Sequence, residues 1–271
     1  MKIFSFQFDG SKYSEKPQED AFSLNQDTFC VADGITRDPI GVSKVEHINS
    51  QENKEHYPNP SPAKFASNLF VNEFLNYSKT HSIEESFKFG NRKVKELNQE
   101  KNPNPDYLEN DFWACVAVSA KIKDHKLNWG VIGDCAIKVF SQDWDLKFET
   151  PNSVKIFEKY FFSDANKDLK DFDWKTSKGR TLVRKEFRNN TNKEGSYGAL
   201  TGEVNLEQGD IVVLYSDGFE RTFNHSDFQQ KIQKLINTGD KTKFIEWNKK
   251  LGESNYDNYG HERTMIILIN N

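Results

Sequence analysis

GDIVVLYSDGFE, residues 209–220, runs five large apolar side chains, Ile211 to Tyr215, straight into the polar turn Ser216-Asp217-Gly218. A continuous apolar run of this length, bounded by turn residues, fits a strand buried on both faces. Its end carries an aspartate to the rim of a covered sheet. The same arrangement recurs along the chain. FCVADG (29–34) ends on Asp33-Gly34, and WGVIGD (129–134) ends on Asp134. Glu19-Asp20 opens the apolar stretch Ala21 to Leu24, and Glu262, beside His261, stands just before the apolar run that begins at Thr264. A carboxylate at the end of a buried strand is costly unless it is paired or bound to a metal. Several such ends gathered by one sheet repel one another and attract cations. Ligands that are all oxygen favour Mg²⁺ or Mn²⁺ over zinc or copper. One Asp-Gly after a strand is ordinary turn chemistry. The repetition at strand ends is what points to a metal site.

Outward from these motifs, strands are expected at Lys2–Phe8, Ala21–Leu24 and Thr28–Ala32, with Asn25-Gln26-Asp27 as the turn between the last two. A helix is expected from Ser61, with Pro62 in its first turn and Phe65, Leu69, Phe70, Phe74, Leu75 and Tyr77 at helical spacing. A second helix is expected over Ile83–Leu97. Phe112–Ala120 and Lys126–Ile132 read as a hairpin around Lys123-Asp124, and Ala136–Phe140 as the next strand. Two helices are expected near Ser226–Ile236 and Lys241–Leu251, and Thr264–Ile269 as a closing strand. The polar stretch 38–62, with four prolines, reads as a functional flap, and the charged section 148–192 as partly helical, best over Thr181–Phe187. Strands in two blocks, with helix pairs between and after them, do not alternate as in a doubly wound fold. They suggest antiparallel sheets covered by helices.

The 271 residues fit one domain spanning 1–271. Only 35% of the chain is hydrophobic, but 22 phenylalanines supply large apolar area per residue, so a core remains affordable in area. A net charge of -4 with mixed signs argues against a general nucleic-acid binder. Cys30, Cys115 and Cys135 are widely spaced in apolar runs, which suggests buried, inert thiols rather than a zinc knuckle or a disulfide framework. Met1 to Gly10 does not read as a signal peptide, and no segment approaches the ~18 apolar residues of a membrane span. A cytoplasmic monomer, binding neither nucleic acid nor membrane, is expected.

The order of these motifs resembles the PPM family, the PP2C-like metal-dependent protein serine/threonine phosphatases. The matching stretches are QEDAF (18–22), VADGITRD (31–38), WGVIGDCAIKVF (129–140), YGALTGE (197–203), GDIVVLYSDGFE (209–220) and HERTMIIL (261–268). They span nearly the whole chain. The resemblance implies an α+β fold, a four-layer αββα sandwich of two antiparallel sheets flanked by helices. It implies two Mn²⁺ or Mg²⁺ ions and room for a third. By position, Asp33 bridges two metals and the Gly34 carbonyl binds one of them; Asp217 is a further direct ligand. Glu19 and Asp20 act at the metals, partly through waters, and Asp134 helps Asp217 to hold the third ion. The implied chemistry is attack on phosphorus by a metal-activated water, with no covalent enzyme intermediate.

The chain departs from the family pattern at three places. Its last motif is His261-Glu262-Arg263-Thr264 where the family has an aspartate first, so His261, Glu262 or Asp257 must complete the metal set. Glu15 stands where many relatives have a phosphate-binding arginine, which leaves Lys16, Lys12 or Arg37 to meet the substrate phosphate. Ile35 stands where some relatives have a histidine acting as general acid; His47 and His56 follow in the next loop. The leading expectation is a phosphatase for phosphoserine or phosphothreonine, with a phosphorylated protein as partner and a cognate kinase opposing it. The alternatives are a catalytically impaired PPM-like domain that binds a phosphoprotein or another partner, and a phosphatase for a small phosphorylated metabolite.

Overall fold

The computed structural model describes residues 1–10, 18–35, 60–103, 113–155 and 199–270. The strands are β1 (Lys2–Phe8), β2 (Ala21–Leu24), β3 (Thr28–Gly34), β4 (Cys115–Lys123), β5 (Lys126–Ile132), β6 (Ala136–Phe140), β7 (Leu146–Glu149), β8 (Leu200–Asn205), β9 (Ile211–Tyr215) and β10 (Arg263–Ile269). They form two five-stranded sheets, in the orders β1-β10-β9-β6-β7 and β2-β3-β4-β5-β8. Every neighbouring pair is antiparallel.

The alternation of side chains along each strand builds three apolar layers. Phe29 and Val31 of β3, Val118 of β4, Val212 and Leu214 of β9, and Ile266 and Leu268 of β10 meet between the sheets. The opposite face of the β9 sheet, with Ile211, Val213, Tyr215, Met265 and Ile267, packs on Phe228, Ile232, Leu235 and Phe244. Those four belong to the helices α4 (Phe228–Thr238) and α5 (Lys241–Ser254). The opposite face of the β3 sheet, with Cys30, Ala32 and Ala117, packs on Phe70, Phe74, Phe87 and Val94. These come from α1 (Pro62–Ser78) and α2 (Ile83–Lys101). The result is the expected αββα sandwich. β9 lies in the middle of its sheet with both faces covered, which is why its five residues are all apolar.

Local chemistry sets the helix ends. Ser61 caps α1 by accepting the Lys64 N–H at 3.1 Å, and Ser82 and Glu85 form a reciprocal capping box on α2. Several bounds differ from expectation. β4 begins at Cys115, not Phe112, and runs on to Lys123. Its hairpin turns on Asp124 and His125, both at positive φ (50° and 59°), as a tight two-residue turn demands. Helix α2 continues to Lys101 because Asn98, turned inward, donates to the Val94 and Trp113 carbonyls and accepts the Trp113 N–H. The edge strands β7 and β8, a single 3₁₀ turn at Asp217–Phe219, and the short helices α3 (Glu220–Phe223) and α6 (Tyr256–Tyr259) were not expected. Of the flap expected at 38–62, residues 38–59 lie outside the described residues, as does the Thr181–Phe187 helix. Among the described residues, no helix is long and apolar enough to cross a membrane.

Candidate metal centre

The strand alternation that builds the inter-sheet core also delivers the site. Phe29 and Val31 point between the sheets, and Asp33 continues that face at the end of β3. Ile266 and Leu268 do the same on β10, and stepping back by two gives Thr264 and then Glu262. On β9 the inward series Val212, Leu214 runs on to Ser216. Asp20 stands one residue before β2, whose Ala21 pairs with Ala32 of β3, so it lies beside Asp33. One sheet therefore brings Asp20 and Asp33, and the other brings Ser216 and Glu262. Carboxylate oxygens of Asp20, Asp33 and Glu262 all lie within 4.8 Å of one another.

Hydrogen bonds fix these groups. The Ser216 hydroxyl donates to Asp20 Oδ2 at 2.7 Å and accepts the Thr264 N–H at 2.9 Å, which ties the two sheets together at the site. The Glu19 N–H donates to Glu262 Oε2 at 2.5 Å. Glu19 is itself buried, and its carboxylate accepts the Ser61 hydroxyl while its carbonyl accepts the Ser67 hydroxyl at 2.5 Å. The remaining Asp20 oxygen, Oδ1, is buried and accepts no hydrogen bond. A buried carboxylate oxygen without a donor is costly, and a cation is the partner its surroundings offer. The residues thus fit an Mg²⁺ or Mn²⁺ ion held by Asp20, Asp33 and Glu262.

Electrostatics widen the cluster. Burial pushes the Asp33 carboxyl well above the usual carboxylate range, and the charges of Asp20, Asp217, Glu262 and Asp134 push it further. Asp20 is raised to about 6, chiefly by burial, against the lowering effect of the Ser216 hydrogen bond. Asp217 is exposed on the 3₁₀ turn and Asp134 half-buried after β5, yet both act on Asp33.

Of the two residues in the altered motif, Glu262 enters the cluster, whereas His261 is exposed with its ring 5.1 Å from that of Tyr256. Lys12, Glu15, Lys16, Arg37, His47 and His56 lie outside the described residues, as does the side chain of Asp257. Gly34 and Gly218 read in the sequence as turn residues, but the structure requires them for close approach. Neither Gly34 nor Gly218 has a positive φ. A Cβ on Gly34 would lie 2.8 Å from the Ala63 backbone, and one on Gly218 would lie 2.1 Å from the Glu262 carbonyl oxygen. Both let backbone segments close up around the site.

Three contributors escaped the sequence reading. Ser216 was visible within the SDG turn as a hydroxyl on the inward face. Lys64, on the first turn of α1, carried no signal; its ammonium donates to the Asp20 carbonyl. Arg263 is 3% exposed, its guanidinium bonded to the Asn248, Tyr259 and His261 carbonyls and lying over Phe8 and Phe219. It pins the turn that presents Glu262.

The raised carboxyls carry a pH signature. A carboxyl whose folded pKa exceeds its unfolded value binds more protons folded than unfolded, so stability rises as pH falls through the folded value. For Asp20 this window runs from about 6 down to the usual 3.8. Metal-free protein is expected to melt at a higher temperature at pH 5 than at pH 7.5. Saturating Mn²⁺ should reverse that slope, because ligands must be deprotonated to bind. Melting curves with EDTA and with Mn²⁺ at both pH values check this; parallel slopes would sink it.

The sequence matches no protein-family model and none of the curated proteins. Its structure is similar to solved ones. A bacterial serine phosphatase superposes with a TM-score of 0.61 at 14% identity, covering 100% of this chain and 98% of that one. The PPM Ser-Thr phosphatase MsPP from Mycobacterium smegmatis, solved with cacodylate, gives 0.55 at 14% identity, over 100% and 98% of the two chains. The catalytic domain of the serine threonine protein phosphatase PstP, solved with two manganese ions, gives 0.57 at 12% identity, over 98% and 96%.

Proposed function

We propose that this chain, which has the fold of the PPM phosphatases, is an Mn²⁺- or Mg²⁺-dependent phosphatase that hydrolyses phosphoserine or phosphothreonine in proteins by attack of an activated water. The observation that carries the reading is the convergence of Asp20, Asp33 and Glu262 from two sheets on one point, with Asp20 Oδ1 buried and without a donor. Bound divalent ions would acidify water there and offset the charge on the phosphoryl oxygens.

The chain's own residues do the rest. Asp33 and Asp20 hold charge at the floor of the site. Ser216 keeps Asp20 oriented by donating to Oδ2, and leaves Oδ1 buried without a donor. Glu262 is held by the Glu19 N–H and supplies the carboxylate that the altered last motif otherwise lacks. Asp217 and Asp134, more open to solvent, would serve a further, weaker ion. The cysteine thiols Cys30 and Cys135 are pushed up by burial and stay protonated, which suits a mechanism without a thiolate nucleophile. A phosphorylated protein is the substrate in this reading, and Lys16 and Arg37 remain the candidates to meet its phosphate.

The test is hydrolysis of p-nitrophenyl phosphate with Mn²⁺, with Mg²⁺ and with EDTA, followed by phosphoserine and phosphothreonine peptides. Turnover that needs metal and extends to the peptides is expected. Turnover of small phosphate esters alone would move the reading to a metabolite phosphatase. Mn²⁺ binding by calorimetry without any turnover would move it to a binding domain.

A further inference from the structure

We propose that Lys64 is a tethered counter-cation beside the metal site, one whose charge opposes the loading of divalent ions there and so sets the concentration at which they load. The inference rests on the metal-site reading above. Lys64 is fixed from two directions. Its N–H is bound by the Ser61 hydroxyl at 3.1 Å, and that hydroxyl in turn donates to the Glu19 carboxylate. Its ammonium donates to the main-chain carbonyl of Asp20, the residue whose carboxylate forms part of the cluster. The turn that carries it is seated closely, because Gly34 leaves no side chain between the end of β3 and Ala63. The side chain is half-buried; burial holds its ammonium below the usual lysine range, and the charges of Asp20, Glu262, Glu19 and Asp9 oppose that lowering.

An ammonium in that position does two things. Without metal it offsets part of the repulsion among carboxylates that must stay close for the sandwich to close. With metal it is a like charge beside the incoming ion, in surroundings where water screens poorly. The second effect is the coupling free energy: the repulsion between the ammonium and a bound ion lowers metal affinity, and a bound ion disfavours the ammonium in its place by the same amount. A lysine whose only task were to pin α1 would have no such trade-off.

Calorimetric titration with Mn²⁺ tests this on the wild type, Lys64→Met, Lys64→Gln and Lys64→Arg, beside melting curves in EDTA. Removing the charge is expected to tighten Mn²⁺ binding by about tenfold while lowering the metal-free Tm; Lys64→Arg should stay within about threefold of wild type. Lys64→Gln, which retains a donor, carries the test if Lys64→Met does not fold. Unchanged or weaker Mn²⁺ binding in the neutral variant that folds overturns the inference and leaves the metal site standing. No Mn²⁺ uptake by the wild type overturns both.

Discussion

Asp33→Asn is expected to lower Mn²⁺-dependent hydrolysis of p-nitrophenyl phosphate by about 10³-fold or more, while raising the melting temperature of the metal-free protein. The two effects have one cause. Asp33 is half-buried among four other acidic groups, and each of them makes its ionised form harder to keep. The cost of that charge is borne by the folded protein whenever no cation is present. Asparagine has the same shape and removes the charge, so repulsion falls and the sandwich closes more easily. The same substitution removes one of the three carboxylates, with Asp20 and Glu262, that would hold the proposed ion. A loss of about 10³ corresponds to roughly 4 kcal/mol of transition-state stabilisation, which is the scale a metal ion supplies to phosphoryl transfer. A site kept at the expense of stability is the usual trade at catalytic centres. Activity within about tenfold of wild type, or a metal-free Tm that falls along with activity, would remove Asp33 from the centre of the mechanism.

How far the sequence could lead follows from which signals are local. β9 was legible because its two covered faces leave only apolar residues, and Asp33 because it closes an apolar strand. The choice between His261 and Glu262 was also within reach. Side chains alternate along β10, so Glu262 shares the inward face of Thr264 and Ile266, while His261 falls on the other. The sequence reading left the choice open because the family pattern drew attention to the aligned position, not to the pleat. β7 and β8 were missed because both are half-exposed edge strands, with mixed residues and no continuous apolar run. Lys64 lay out of reach altogether. It meets Asp20 only because α1 packs over the end of β3, 44 residues from its partner in the chain. Gly34 and Gly218 read as turn residues in sequence, whereas their requirement comes from Ala63 and Glu262, which only the folded chain places beside them.

Gly218→Ala is expected to cost more stability than a single added methyl group ordinarily does. The added Cβ would stand 2.1 Å from the Glu262 carbonyl oxygen and 2.9 Å from the Arg263 Cβ. Neither neighbour can move alone. Arg263 is buried and bonded to carbonyls of α5, α6 and His261, and Glu262 is held by the Glu19 N–H. The strain must therefore push the 3₁₀ turn, and Asp217 with it, away from β10. Overpacking against backbone costs about 3 kcal/mol, and for a chain of this size that lowers Tm by roughly 6–12 °C. The displacement also opens the gap between Asp217 and Asp33, so Mn²⁺ affinity is expected to fall by about tenfold or more in the fraction that stays folded. Gly239→Ala is the control for backbone conformation: that glycine has φ 70° but nothing within 4 Å of a Cβ, so its cost is confined to the left-handed conformation. If Gly218→Ala loses no more Tm than Gly239→Ala and binds Mn²⁺ as wild type does, the 217–219 turn does not depend on its contact with Glu262. A large loss at Gly218 alone would mean that the two ends of the acidic cluster, delivered by β9 and β10, are held in register by that single missing side chain.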